Sequence, residues 1–301
     1  MPHANIGDIS LFYKVFRQGR EQSNLDPELS TMIVLHGGPG FVDHNLYVPY
    51  WSYFAIFMQV VFVDQRGNGL SDHGDPAKWN LDTCGHDIYL FCQALQIDKP
   101  IIAGISWGGY VAMAYVSQHP EHPQALLLCN TEAKVSVEAR YQMIKTLGGE
   151  KAGQAAWEYD HYPTKEGVHE QFIKHCLPYY ACYRSYKPED IAQCHTNISM
   201  RTKFMKEENL VFDFRSTLNK VVCPTLLLAG EYSPGHPVTC AQQTAQSIPH
   251  QYVQLKIIKN AGAPVYNDKP AEVYACILRF IAEVDEGVAK NMPINDTALY
   301  S

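Results

Sequence analysis

The sequence predicts an α/β fold, a mostly parallel sheet flanked by helices and interrupted once by a helical insertion. Two observations carry that expectation. Short apolar runs alternate with segments of helical periodicity in the first and last parts of the chain, as strand–helix–strand crossovers do. Between them, residues 133–217 change character: charged, aromatic and helical stretches alternate and no buried strand is legible. The expected division is a first core segment at 1–132, a helical cap at 133–217 and a second core segment at 218–301.

Taken in order, residues 8–16 read as an early strand and 19–27 as a polar turn. Residues 31–35 form a buried strand that runs straight into His36-Gly-Gly-Pro-Gly40. A second buried strand at 60–63 ends at Asp64-Gln-Arg-Gly-Asn-Gly69. Residues 82–97 have helical spacing, with Asp82 or Thr83 able to cap the N-terminus. A short strand at 100–103 leads into Gly104-Ile-Ser-Trp-Gly-Gly109 and a helix to about Gln118, and 125–129 is again strand. After the insertion come strands at 224–229 and 252–258 and a helix at 270–284. The polar tail after Glu286 reads as loosely held.

The chain has 301 residues, enough for one large domain with an insertion. Its 12% aromatic content, including 19 Tyr, suffices for an aromatic-lined pocket. A net charge of −7 argues against a nucleic-acid surface. No stretch approaches the roughly 18 apolar residues of a membrane helix, and residues 1–16 do not read as a signal peptide. Nine scattered cysteines without CxxC spacing suggest neither a disulfide framework nor a zinc site. The expectation is a cytoplasmic protein acting on a small molecule, with no nucleic-acid or membrane partner. Asn197-Ile-Ser and Asn295-Asp-Thr match the glycosylation pattern by chance.

Chemistry enters at two glycine-rich turns. Gly104-Ile-Ser106-Trp-Gly108 fits G-x-S-x-G and lies between a strand and a helix, where a sharp elbow projects a serine hydroxyl from the sheet. The Trp107 N–H then points at a substrate oxygen. His36-Gly37-Gly38-Pro39-Gly40 follows the earlier strand, and its glycines free the backbone to turn N–H groups toward a developing negative charge. Gly38 is the expected second oxyanion donor, while His36 braces the loop.

These two motifs, with Asp64-Gln-Arg-Gly-Asn-Gly-Leu-Ser71 and Cys223-Pro-Thr-Leu-Leu-Leu-Ala-Gly-Glu-Tyr232, resemble the proline iminopeptidases of the α/β-hydrolase superfamily. The resemblance covers the whole core in order. It implies the α/β-hydrolase fold and a helical cap after the sixth core strand. The cap carries no motif that matches, so none of the family's amine-recognising residues is carried over.

The catalytic partners depart from the family. Its acid is expected in Gly-Glu-x-Asp, where this chain has Gly230-Glu-Tyr-Ser233; its histidine is expected in Gly-x-Gly-His, where this chain has Asn260-Ala-Gly-Ala263. Ser233 and Ala263 thus occupy the places of acid and base. A serine hydroxyl without a base is a poor nucleophile, and catalysis then falls back on oxyanion stabilisation. The favoured expectation is therefore non-hydrolytic chemistry (cyclisation, isomerisation or elimination) on a carbonyl compound polarised by the oxyanion loop. One alternative is a serine hydrolase with relocated partners, Glu132 as acid and His236 as base; another is an inactive ligand-binding protein. The plain reading of Glu132 is a solvated residue at the cap hinge, and of His236 a loop histidine.

Other features point to no further chemistry. Asp64 and Arg66 read as braces between loops. Tyr179, Tyr180 and Tyr183 could line a pocket or simply pack a helix. His161, His169, His175 and His195 lack metal spacing coupled to carboxylates, and no P-loop or dinucleotide fingerprint appears. No metal and no cofactor is expected.

Overall fold

The computed structural model describes residues 2–182 and 188–285; the tail after Glu286, Asn295 and Tyr183 lie outside them. Nine strands form one sheet: β1 His3–Asn5, β2 Ser10–Arg17, β3 Arg20–Gln22, β4 Thr31–Leu35, β5 Gln59–Val63, β6 Ile101–Ile105, β7 Ala125–Cys129, β8 Thr225–Gly230 and β9 Val253–Ile258. Their order is β1-β2-β5-β4-β6-β7-β8-β9, with β3 paired to β2. The pairs from β5 through β9 are parallel, while β2 meets β1, β3 and β5 antiparallel. This is the α/β-hydrolase fold that the sequence predicted.

Every residue of β4 to β8 is buried. Alternation assigns them to two faces. Ile33, Leu35, Val61, Val63, Leu126 and Leu128 pack under helices Leu81–Leu95 and Trp107–Gln118. Met32, Val34, Val60, Phe62 and Leu127 pack under helix Pro270–Val284. Strands covered on both faces read as continuous apolar runs, which is why these five were legible.

Three local expectations are corrected. The segment 19–27 contains β3, which pairs Arg17 with Arg20 through Val15 with Gln22 and is too short and polar to show a period. The helix expected at 82–97 spans Leu81–Leu95. Asn80, not Asp82 or Thr83, caps it by accepting from the Thr83 N–H at 2.8 Å, and Gln96 ends it at φ 56°. Asn197 is also a cap, accepting from the Met200 N–H at the start of helix Ile198–Glu207.

Between β7 and β8 run helices Val137–His161, Val168–His175, Pro188–Ala192 and Ile198–Glu207, with no strand among the described residues. The first is broken at Gly149, whose φ is 79°. Ile144, Ala152, Ala155 and Ala156 of the first helix and Cys176, just after the second, form a small core of their own. No helix among the described residues is long and apolar enough to cross a membrane.

Candidate active site

The turns that matter all leave the C-terminal ends of neighbouring strands, where open α/β sheets bind ligands. His36–Gly40 follows β4, Ser106 follows β6, Glu132 stands three residues past β7, Ser233 and His236 follow β8, and Ala263 follows β9.

Ser106 has φ 53° and ψ −118°, a conformation that a residue with a side chain adopts only when its surroundings impose it. Here the Ser106 N–H donates to the Cys129 carbonyl at 3.0 Å, and its own carbonyl accepts from Gly109 N–H and the Thr131 hydroxyl, both at 2.9 Å. The elbow also needs its glycines. A Cβ on Gly108 would stand 2.1 Å from the Leu35 oxygen, and one on Gly104 would stand 2.6 Å from the Gly108 oxygen. The helix Trp107–Gln118 begins at the next residue, so the Trp107 N–H belongs to the first turn, which has no helical acceptors.

The glycine-rich loop after β4 is tied down at both ends. The Gly37 N–H donates to the Tyr47 hydroxyl at 3.1 Å and the Gly40 N–H to the Asn68 side-chain oxygen at 2.6 Å. Pro39 has no N–H, so Gly38, at φ 56° and on the cavity wall, carries the loop's remaining one. His36 is buried beneath the loop. Its Nδ1 donates to the Gly37 carbonyl at 2.9 Å and its Nε2 accepts from the Gln65 N–H at 3.4 Å, the bracing role read from the sequence. Burial holds its pKa below the ordinary value, against the pull of Asp64.

An imidazole reaches the serine. His236 Nε2 lies 3.1 Å from Ser106 Oγ, and His236 Nδ1 lies 3.4 Å from Glu132 Oε1. The plain reading of Glu132 as a solvated residue is corrected, since it is 0% exposed; His236 does stand on the loop after β8, but it is 6% exposed and faces the serine. Both were hard to read because burial of a single charged residue depends on tertiary neighbours, not on local pattern. Ser233 is fully buried, and its hydroxyl accepts from the His236 N–H at 3.3 Å, closing the turn that presents the imidazole. Ala263 places only a methyl on the cavity wall, while its N–H donates to the Tyr180 carbonyl at 2.6 Å.

Two residues that sequence reasoning missed complete the cluster. Arg140, in the first turn of helix Val137–His161, donates to Glu132 Oε1 at 2.7 Å, to the Tyr110 hydroxyl at 3.2 Å and to Asp160 at 3.2 Å. Tyr110 stands one turn after Ser106, and its hydroxyl approaches Glu132 at 3.4 Å and His236 Nδ1 at 3.5 Å. Tyr110 was findable, because residues i and i+4 share a helix face; no local signal marks Arg140. Burial opposes ionisation of Glu132, yet Arg140 and His236 outweigh it and hold the carboxyl below the usual range. For His236 burial dominates, so the imidazole titrates below its ordinary value despite Glu132.

Ser106, His236, Gly38 and Ala263 face one cavity of about 200 Å³. Tyr180 lines it as well, whereas Tyr179 is 37% exposed. The braces beside it match the sequence reading. Arg66 is buried between Asp87, at 2.7 and 2.8 Å, and Asp8, at 3.0 Å. Asp43, His44 and Asp64 cluster closely, but their oxygens already accept N–H groups: Asp64 takes those of His44 and Leu70, and Asp43 those of Asn45 and His195. The trio fastens loops.

An elbow serine at the C-terminal end of a central strand, beside a glycine-rich loop, defines the class: residues 30–270 match the family described as alpha/beta hydrolase fold, and the chain belongs to it. Its relatives are enzymes, and they include proline iminopeptidases. That of Chitinophaga pinensis is 30% identical over 131 residues, 42% of this chain and 43% of that one. That of Elizabethkingia meningoseptica is 22% identical over 300 residues, 90% of this chain and 95% of that one. The crystal structure of proline iminopeptidase from Mycobacterium smegmatis superposes with a TM-score of 0.73 at 21% identity, covering 95% of this chain and 98% of that one.

Proposed function

We propose that this α/β-hydrolase-fold enzyme is a serine hydrolase whose base and acid have moved, with His236 in place of a histidine after β9 and Glu132 in place of an acid after β8. The observation that carries the reading is the 3.1 Å contact between His236 Nε2 and Ser106 Oγ. Non-hydrolytic chemistry, favoured on sequence, rested on the lack of a base, and His236 supplies one; that the relatives are hydrolases supports the same choice.

In the proposed reaction the Ser106 proton passes to His236 Nε2 as Oγ bonds to the substrate carbonyl carbon. The resulting oxyanion is held by the N–H groups of Trp107 and Gly38. His236 then returns the proton to the leaving group as that bond breaks, and water repeats the cycle to release the acyl group. For Nε2 to accept, the ring proton must sit on Nδ1, the atom that faces Glu132. The Nδ1 contact at 3.4 Å is longer than an ordinary hydrogen bond, as such contacts often are before substrate binds. Residues 133–217 act as the cap, and Arg140 ties that cap to the acid.

The test is turnover of p-nitrophenyl esters and of proline p-nitroanilide by the wild type, Ser106→Ala and His236→Ala. Ser106-dependent hydrolysis that falls at least about 10³-fold in each variant is expected. Hydrolysis that survives His236→Ala within tenfold would rule out His236 as the base.

A further inference from the structure

We infer that the substrate is an acyl compound bearing a bulky, uncharged apolar group, and that Ala263 sets how large that group can be; this rests on the hydrolase reading above. None of the described residues lining the cavity is a lysine, arginine, aspartate or glutamate. Apart from Ser106, Asn130 and His236, its lining side chains are apolar and aromatic, among them Phe41, Val42 and Tyr266. The one titratable imidazole there, His236, is held toward its neutral form by burial.

A substrate with a free amine would therefore bring an ammonium into a cavity with no counter-charge among the described residues, which is unfavourable. Glu132 does not line the cavity: it is fully buried, and its Oε1 accepts from Arg140. The proline iminopeptidases would thus be poor guides to the substrate.

Ala263 adds a second, independent argument. With the base moved to His236, this position on the cavity wall beside Pro264 and Tyr266 carries a methyl, leaving open the volume an imidazole would fill. The loop is fixed there by the bond from Ala263 N–H to Tyr180, so the space is defined by the fold.

The experiment measures kcat/KM for two wild-type series: p-nitrophenyl esters from acetate to hexanoate, and acetate esters of alcohols from methyl to hexyl. A third set, the p-nitrophenyl ester of 6-aminohexanoate and proline p-nitroanilide, supplies the charge. Each methylene that enters the cavity should add roughly three- to fourfold, so hexanoate should exceed acetate by on the order of 10² and hexyl should exceed methyl by on the order of 10²–10³. The amine-bearing compounds should fall at or below the short ones. Ala263→Phe should flatten the length dependence, and Ala263→Val should reduce it in part, which covers the case of a misfolded Phe variant. Flat wild-type series, or faster turnover of the amine-bearing compounds, would overturn the inference while leaving a Ser106-dependent hydrolase in place. Failure of every substrate, together with no Ser106 labelling by a fluorophosphonate, would remove the hydrolase reading and this inference with it.

Discussion

Replacing Glu132 by Gln keeps the shape of the side chain and removes its charge, and the structure sets the size of the effect. A carboxylate and an imidazolium 3.4 Å apart interact by about 5 kcal/mol at an effective dielectric of about 20. Arg140 sits on the same carboxylate oxygen and cancels part of that field at the imidazole. The net stabilisation of the imidazolium formed during catalysis is then about 3–5 kcal/mol, or 10²–10⁴ in kcat/KM. Because the carboxylate raises the pKa of His236, the Gln variant should also move the acid limb of the pH–rate profile to lower pH. The protein should lose stability too, since Arg140 would keep only Asp160 at 3.2 Å as a charged partner; about 2–4 kcal/mol in urea denaturation is expected. Steady-state kinetics between pH 4.5 and 8.5, with denaturation of the same samples, checks all three. Activity within threefold of wild type, or an acid limb that moves upward, would refute the assignment of Glu132 as the partner of His236.

In the wild type, kcat/KM should rise with pH through a midpoint below 6.5 and level off above it, because burial depresses the pKa of the base, which acts only when neutral. A midpoint well above 6.5 would contradict that environment. The same depressed pKa means that the unfolded chain takes up this proton more readily than the folded one, so stability should fall as pH drops through about 6.5, read as a declining Tm. Gly38→Ala should lower kcat by about 10–10³ with a smaller change in KM, because Gly38 has φ 56° and an added Cβ would meet Val42 at 3.1 Å, tilting the N–H that faces the oxyanion. An unchanged kcat would remove Gly38 as a donor.

How much of this was legible depended on the range of the signal. β4 and β7 could be delimited to the residue, and β5, β6 and β8 to within two, because strands buried on both faces are unbroken apolar runs bounded by turns. β1 and β3 could not: each has three residues, held by pairing to β2 and not by its own pattern. The Ser106 elbow and the Gly38 loop were readable because their backbones require glycine at fixed offsets. The expectation that Ser233 and Ala263 stand where the family has its acid and base came from the same kind of signal, since flanking glycines anchor both turns. The residues proposed in their place were visible only as candidates. His236 and Glu132 lie 104 positions apart, and their meeting depends on β7 and β8 being neighbours with Cys129 opposite Leu228. Arg140, which neutralises the buried carboxylate, belongs to the inserted helices, whose packing onto the sheet no local period encodes.

The central claim is that Ser106 is an activated nucleophile and that His236 activates it. Fluorophosphonate labelling followed by intact mass, on the wild type, Ser106→Ala and His236→Ala, tests it without knowledge of the substrate. One adduct forming rapidly on the wild type, absent from Ser106→Ala and slowed at least 10³-fold in His236→Ala, is the predicted result. An unlabelled wild type, or labelling that proceeds at the wild-type rate without His236, would contradict the account.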